Sequence, residues 1–336
     1  MTDIIKLGLI GCGSHGCGNL LPAINTAQNA HIAACVDIDE SKVKRTVADL
    51  GIENYYLDYN EMLREIPIDA VVIALPHAEI LAAAMASINA GKHLFIDKPM
   101  ALNAADGQTI VDAAKDKQVK VMVGYCQRYA AGRMLMKQLL AKGVVGDIDL
   151  VIAGKGSGPL GGWLVAPSEQ GGGQLLFLGV HITDQILWLL NDYPLSVTGE
   201  IQWHEKGYDE TSSYIMRFPD DIVASVSLSM NTAGGLDFIE IFGSAGRIRA
   251  DWPSNIVQVR TNAVEEYRHP ATIMVSGDNS MMYGAQMRAF VEAVRTKSDM
   301  PIPGEDGVKV LRIIDAVFES NRLKRPVNFM KNTKNR

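Results

Sequence analysis

The 336 residues exceed what a single core usually holds and fit two domains. A 47% hydrophobic and 21% charged composition is that of a globular protein, and a net charge of -6 argues against nucleic acid, which needs a basic face. No apolar run approaches the roughly 18–20 residues of a membrane span, so no membrane partner is expected.

The first residues, Met1-Thr2-Asp3-Ile4, lack the basic and then apolar pattern of a secretory leader. Four cysteines (Cys12, Cys17, Cys35, Cys126) show no metal-ligand spacing and are too few for a disulfide framework. Reduced thiols, a cytoplasmic location and no bound metal are expected.

Residues 5–10 form an apolar strand that runs into Gly11-Cys12-Gly13-Ser14-His15-Gly16, a G-x-G-x-x-G turn. An amphipathic helix with Leu20, Leu21, Ile24 and Ala27 follows, then a strand from His31 to Val36 that ends in Asp37. Strand, glycine turn, helix, strand and acid in this order make the dinucleotide-binding fingerprint. Gly11 allows the tight turn, Gly13 lets pyrophosphate approach the backbone at the helix N-terminus, and Gly16 lets the helix pack on the strand. Asp37 accepts from ribose hydroxyls and repels a 2′-phosphate, which favours NAD over NADP. Alternatively, Asp37 caps the helix containing Lys42 to Leu50.

Ala70 to Leu75 is a continuous apolar run stopped by Pro76, the pattern of a central parallel strand. A helix from Ile80 to Ala90 closes at Gly91, and the strand Leu94-Phe95-Ile96 then meets Asp97-Lys98-Pro99. Proline cannot donate to a sheet ladder, so the strand stops there. A lysine at the carboxyl end of a parallel strand faces ligand rather than core. A helix from Ala104 to Asp116 and a strand from Val119 to Val123 complete a domain of residues 1–124.

From about residue 148 the strands become longer and adjacent: Ile148–Ala153, Val197–Trp203, Ser212–Phe218, Ile222–Met230, Phe238–Phe242, Arg247–Asp251 and Ile256–Val259. Their alternation suits an antiparallel sheet with two unlike faces. Two helices, Gln286–Thr296 and Gly307–Arg322, close the second domain, residues 125–336. The fold expected is α/β, a Rossmann dinucleotide-binding domain followed by an α+β domain on a large, mostly antiparallel open sheet. That sheet has too few helices to cover both faces, so a homodimer or homotetramer is expected.

One helix of the second domain differs from the rest. Gly171-Gly172-Gly173 precedes a segment on which Gln174, Phe177, His181, Asp184 and Trp188 share one face at 3.6 residues per turn. A polar and aromatic stripe on an otherwise apolar helix suggests a lined pocket, while a hydrogen-bonded core histidine is the plainer reading of His181 alone.

Taken together these pieces resemble the glucose-fructose oxidoreductase / inositol dehydrogenase family, Gfo/Idh/MocA. The resemblance runs nearly end to end. It includes the Gly11–Gly16 loop, Ala74-Leu75-Pro76, Asp97-Lys98-Pro99 where the family has Glu-Lys-Pro, the glycine triplet with Val180-His181 and Asp184, and Pro303-Gly304-Glu305-Asp306-Gly307. It implies a catalytic Lys98, as general base or hydrogen-bond partner, and a catalytic His181 as acid–base group. Burial of Lys98 beside the positive nicotinamide would lower its pKa from about 10.4 toward useful values. Asp97 is expected to position the strand end or to touch the second domain.

Cofactor contacts are then expected at Gly11, Gly13, Ser14, His15, Gly16, Asp37, Ile38, Ala74, Leu75, Pro76, Asp97, Lys98 and Gln127. Substrate contacts are expected at Lys98, Arg128, Trp163, Phe177, His181 and Asp184. Family polyol dehydrogenases carry an aspartate four residues before the histidine; here Phe177 stands there, which puts an inositol-type substrate in doubt.

The function implied is hydride transfer between NAD and a ring hydroxyl or ketone of a sugar, sugar derivative or cyclic polyol. The alternatives are an NAD-dependent glycosidase that oxidises its ring transiently, with Phe177 and Trp163 stacking on an aglycone, and a non-catalytic NAD-binding regulator.

Overall fold

Short, mostly apolar strands at the start of the chain become a parallel sheet, and the long alternating ones later become a broad sheet with one open face. The computed structural model describes residues 4–277 and 281–329. It divides into two compact units, Met1–Tyr129 with Ser280–Leu311, and Ala130–Asn279 with Arg312–Arg336.

In the first unit six strands lie in the order β3-β2-β1-β4-β5-β6, all parallel. They are β1 (Ile5–Ile10), β2 (Ala30–Val36), β3 (Tyr55–Tyr56), β4 (Ala70–Ile73), β5 (His93–Asp97) and β6 (Val121–Gly124). The four residues of β4 have no exposed surface, as a strand covered on both faces requires. The crossovers contain α1 (Leu21–Asn25), α2 (Glu40–Leu50), α3 (Tyr59–Glu65), α4 (Ile80–Asn89) and α5 (Ala104–Asp116). Asp39, not Asp37, caps α2, its side chain accepting from the Ser41 and Lys42 N–H groups. Asp37 is thereby left to the turn above β1. The strand order reverses at β1, so the carboxyl ends of β1 and β4 flank the switch point where ligands bind.

The second unit carries the sheet β14-β13-β12-β11-β7-β10-β9-β8-β15. Its α6 (Ala131–Ala141) leads to β7 (Ile148–Gly156), and α7 (Val180–Leu190) precedes β8 (Ser196–Trp203), β9 (Asp209–Arg217) and β10 (Val223–Ser229). The strands β11 (Leu236–Gly243), β12 (Gly246–Asp251), β13 (Ile256–Thr261) and β14 (Ala271–Met274) follow, and β15 (Val327–Asn328) adds an edge. Pairing is antiparallel except between β7 and β10, which run parallel. Tyr214, Met216, Ala224 and Val226 point to the covered face, where the Thr183 hydroxyl of α7 and the Tyr214 hydroxyl lie 2.7 Å apart. Ile215, Ser225 and Ile152 lie in register on the other face, with Ile215 47% exposed.

Two late helices remain, α8 (Met281–Thr296) and α9 (Gly304–Leu323). In the first unit α8 lays Phe290 edge-on against Phe95 of β5, ring centroids 5.6 Å apart. The second half of α9 belongs to the second unit, where Ser320 Oγ accepts from the Gly199 N–H at 3.1 Å.

Candidate active site

The dinucleotide turn is built by close backbone approaches. Gly11 has φ +102°, a left-handed conformation that favours glycine, and a Cβ there would overlap the Ala74 carbonyl oxygen. A Cβ on Gly16 would overlap the Gly11 carbonyl oxygen. Gly13 meets nothing within 4 Å and faces open space. Asp37 Oδ2 accepts from the Cys12 N–H at 2.8 Å and Oδ1 from the Asp39 N–H at 2.9 Å. A carboxylate has about four acceptor positions, so capacity for ribose hydroxyls remains. The structure thus brings Gly11, Gly16, Ala74, Leu75 and Asp37 together around the turn, and Ile38 stands beyond them 92% exposed. An open glycine, a pinned carboxylate and a bare apolar side chain fit pyrophosphate, ribose and a base.

At the end of β5, Asp97 turns back to this turn, its Oδ1 3.3 Å from His15 Nε2. Asn19 Nδ2 lies 3.0 Å from His15 Nδ1, and the Tyr283 ring meets the His15 ring edge-on at 5.7 Å. Burial pushes the Asp97 carboxyl up, but the charge and hydrogen bond of His15 and the adjacent Lys98 outweigh it, leaving it below the usual carboxylate range. Lys98 follows, 8% exposed, joined to Pro99 by a cis peptide. Gln127 is buried in the single turn Cys126–Tyr129, and Arg128 beside it donates to Asp306 Oδ2 at 3.0 Å.

In the second unit the helix expected from Gln174 to Trp188 begins as a π-helix, Leu175–Gly179, and becomes α7 only at Val180. The wider winding breaks the 3.6-residue register. Phe177, His181 and Trp188 are half-buried, whereas Gln174 and Asp184 turn inward at 0% and 1% exposure. Gln174 Nε2 donates to the Leu228 carbonyl at 3.1 Å and to Ser212 Oγ at 3.3 Å, so it ties the helix to the sheet. Trp163 stands 40% exposed on the short turn Gly162–Val165.

Sequence reasoning passed over two residues here. Tyr283 reaches His15 across 268 positions and Asp209 holds the start of the helix from 34 positions away, and nothing local in the sequence marks either.

Residues 5–125 match a family described as "Oxidoreductase family, NAD-binding Rossmann fold", and residues 134–249 match the "GFO/IDH/MocA C-terminal domain". A myo-inositol 2-dehydrogenase of Thermotoga maritima is 24% identical over 337 residues, covering 96% of this chain and 98% of that protein. A dTDP-3,4-didehydro-2,6-dideoxy-alpha-D-glucose 3-reductase of Saccharopolyspora spinosa is 26% identical, covering 96% of this chain and 99% of that protein. The solved structure of a levoglucosan dehydrogenase with NADH and levoglucosan shares the fold at a TM-score of 0.90 and 21% identity, covering 97% of this chain and 100% of that one. Two family domains in the family's order, around a glycine turn shaped for a dinucleotide, make this chain a member of the GFO/IDH/MocA family of NAD-binding oxidoreductases.

Proposed function

We propose that the protein is an NAD-dependent dehydrogenase or reductase acting on a ring hydroxyl or ketone of a sugar, sugar derivative or cyclic polyol. The observation that carries this is Lys98. An ammonium-bearing side chain is 8% exposed at the carboxyl end of a dinucleotide-sheet strand, one residue from the Asp97 that contacts the cofactor turn. In an open α/β sheet ligands bind beyond the carboxyl ends of the strands, so a lysine there is placed to meet one. The names of the relatives, an inositol dehydrogenase and a sugar-nucleotide reductase, point to the same substrate class.

When bound, the nicotinamide exchanges the hydride with the carbinol carbon. The roles left to this chain are proton handling and orientation. The His181 imidazole takes the hydroxyl proton, and Lys98 Nζ donates a hydrogen bond to the oxygen as it develops negative charge. Groups of this kind each contribute about 10²–10⁴-fold. Phe177 and Trp163 offer flat apolar surfaces to the C–H face of a ring. Ile38 and Asp37 take the adenosine end of the cofactor. The open face of the second-unit sheet is the surface assigned to self-association, as a dimer or tetramer.

The test is a panel of sugars, polyols and glycosides followed by NADH absorbance, with Lys98→Met and His181→Asn beside the unmodified protein. Both variants should still bind NADH and lose turnover by about 10²-fold or more. Near-normal turnover in Lys98→Met would refute the assignment. Conversion of a glycoside with no net NADH would replace it with redox-neutral cleavage.

A further inference from the structure

The segment that leads into the His181 helix is wound around one buried carboxylate, and every contact involved lies inside the second unit. Asp209, at the start of β9, has no exposed surface. Its Oδ1 accepts from Ser168 Oγ at 2.9 Å and its Oδ2 from the Leu175 N–H at 2.7 Å, while its own N–H donates to Ser168 Oγ at 3.2 Å. Gly173, at φ +91°, passes so close that a Cβ there would overlap the carboxylate, and a Cβ on Gly172 would overlap the Ala166 carbonyl oxygen. The Gly173 N–H donates to the Leu164 carbonyl at 2.9 Å. Gly172 and Gly173 are thus explained by packing: the chain passes between a carbonyl and a carboxylate with no room for a side chain.

One carboxylate therefore joins two pieces. Through Leu175 it holds the first turn of the helix bearing Phe177 and His181. Through Ser168 it holds the segment that follows the Trp163 turn. Between Leu175 and Gly179 the chain is π-helical, a rare single-turn form found frequently at functional sites. A carboxylate is an expensive anchor at this place, because burial pushes its pKa up to about 6 against the lowering effect of the Leu175 N–H, the Ser168 hydroxyl and the N–H groups of Asp209 and Gln174. An amide would occupy the same volume without that cost.

We propose that Asp209 is a positioning residue for the reaction: it sets the entry turn of the His181 helix and, through Ser168, the Trp163 turn, so that His181, Phe177 and Trp163 meet the sugar in one fixed arrangement. The proposal rests on the reading of His181 given above. It adds a residue that touches neither substrate nor cofactor and acts through those that do.

The experiment uses the full chain saturated with NADH and the variants Asp209→Ala, Asp209→Asn, Ser168→Ala and His181→Asn. Backbone hydrogen exchange is followed over residues 164–181, with 223–229 of β10 as internal reference. Asp209→Ala should speed exchange at 173–179 by about tenfold or more and leave β10 unchanged. Asp209→Asn should stay within about threefold of the parent, because its amide accepts from Leu175 and donates to Ser168.

In turnover of the best compound from the panel, Asp209→Ala should raise KM by about tenfold and lower kcat with NADH affinity unchanged, and Asp209→Asn should restore both. A carboxylate that only stabilises the fold would lower the melting temperature without moving KM or local exchange. If Asp209→Ala does not fold, Ser168→Ala carries the test, since it cuts only the link to the Trp163 turn and should raise KM alone. Parent-like exchange and KM in these variants overturn the proposal. If no compound is turned over, exchange decides by itself. A fully active His181→Asn would remove the catalytic reading while leaving the exchange result standing.

Discussion

Replacing Asp37 by serine should exchange cofactor preference, and the structure supplies the magnitude. Both Asp37 oxygens are aimed by backbone, one by the Cys12 N–H at 2.8 Å and the other by the Asp39 N–H at 2.9 Å, so the charge cannot swing away from a ligand. A unit charge about 4 Å from a 2′-phosphate oxygen is repelled by about 4 kcal/mol at an effective dielectric near 20, and half-exposure reduces this to about 2. Removing the carboxylate should therefore tighten NADPH by about 10–100-fold. NADH should weaken by a similar factor, because hydrogen bonds to a charged acceptor are worth about 1.5–3 kcal/mol. Serine is too short to reach the Cys12 N–H, so the turn will also loosen, but that loss falls on both cofactors and cancels in their ratio. The assay is fluorescence titration of NADH and NADPH against both proteins. A ratio that stays put, or an unmodified protein that binds NADPH as tightly as NADH, would show that Asp37 does not sit at the ribose.

Phe177→Asp should improve turnover of free myo-inositol relative to glycosides, because a hydroxyl aimed at the ring is desolvated without a partner at about 1–3 kcal/mol; comparing both substrate types on both proteins checks it. Light scattering at micromolar concentration should give a dimer or tetramer, since the open sheet face carries Ile215 and Ile152 in one row; a monomer would count against it. Asp209 titrates near 6 in the folded chain against an ordinary 3.8, so the folded state binds its proton more tightly over that window. Its contribution to stability is fully present below the unfolded value and is lost as pH rises through 6, a difference of about 3 kcal/mol. Asp209→Asn should accordingly gain in melting temperature over the parent at about pH 7.5 and gain little or nothing at about pH 4. Equal differences at the two pH values would contradict this.

The first unit was largely legible from sequence. Its strands are short and mostly apolar, and Gly11 and Gly16 sit where φ or a near carbonyl excludes a side chain. Its acid follows a strand, so each signal is complete within a few residues. The second unit was legible as a broad sheet of alternating strands, yet β7 and β10 pair in parallel across 73 positions, and no local pattern marks which strands adjoin. The return of residues 280–311 to the first unit is equally unmarked, although a helix over Gln286–Thr296 was expected.

The polar stripe shows the division most clearly. Counting by 3.6 put Gln174, Phe177, His181, Asp184 and Trp188 on one face, which assumes an α-helix from the first turn. The structure winds that turn wider, keeps Phe177, His181 and Trp188 outward, and buries Gln174 and Asp184. Helical periodicity is a property of neighbours along the chain, and sequence alone determines it as long as each turn hydrogen-bonds to the one before. Asp209, brought from 34 residues away, accepts from the Leu175 N–H at the start of that turn. Contacts of that span exist only once the sheet has formed, so the residue types at the site were determined by sequence, and their facing was decided by the tertiary structure.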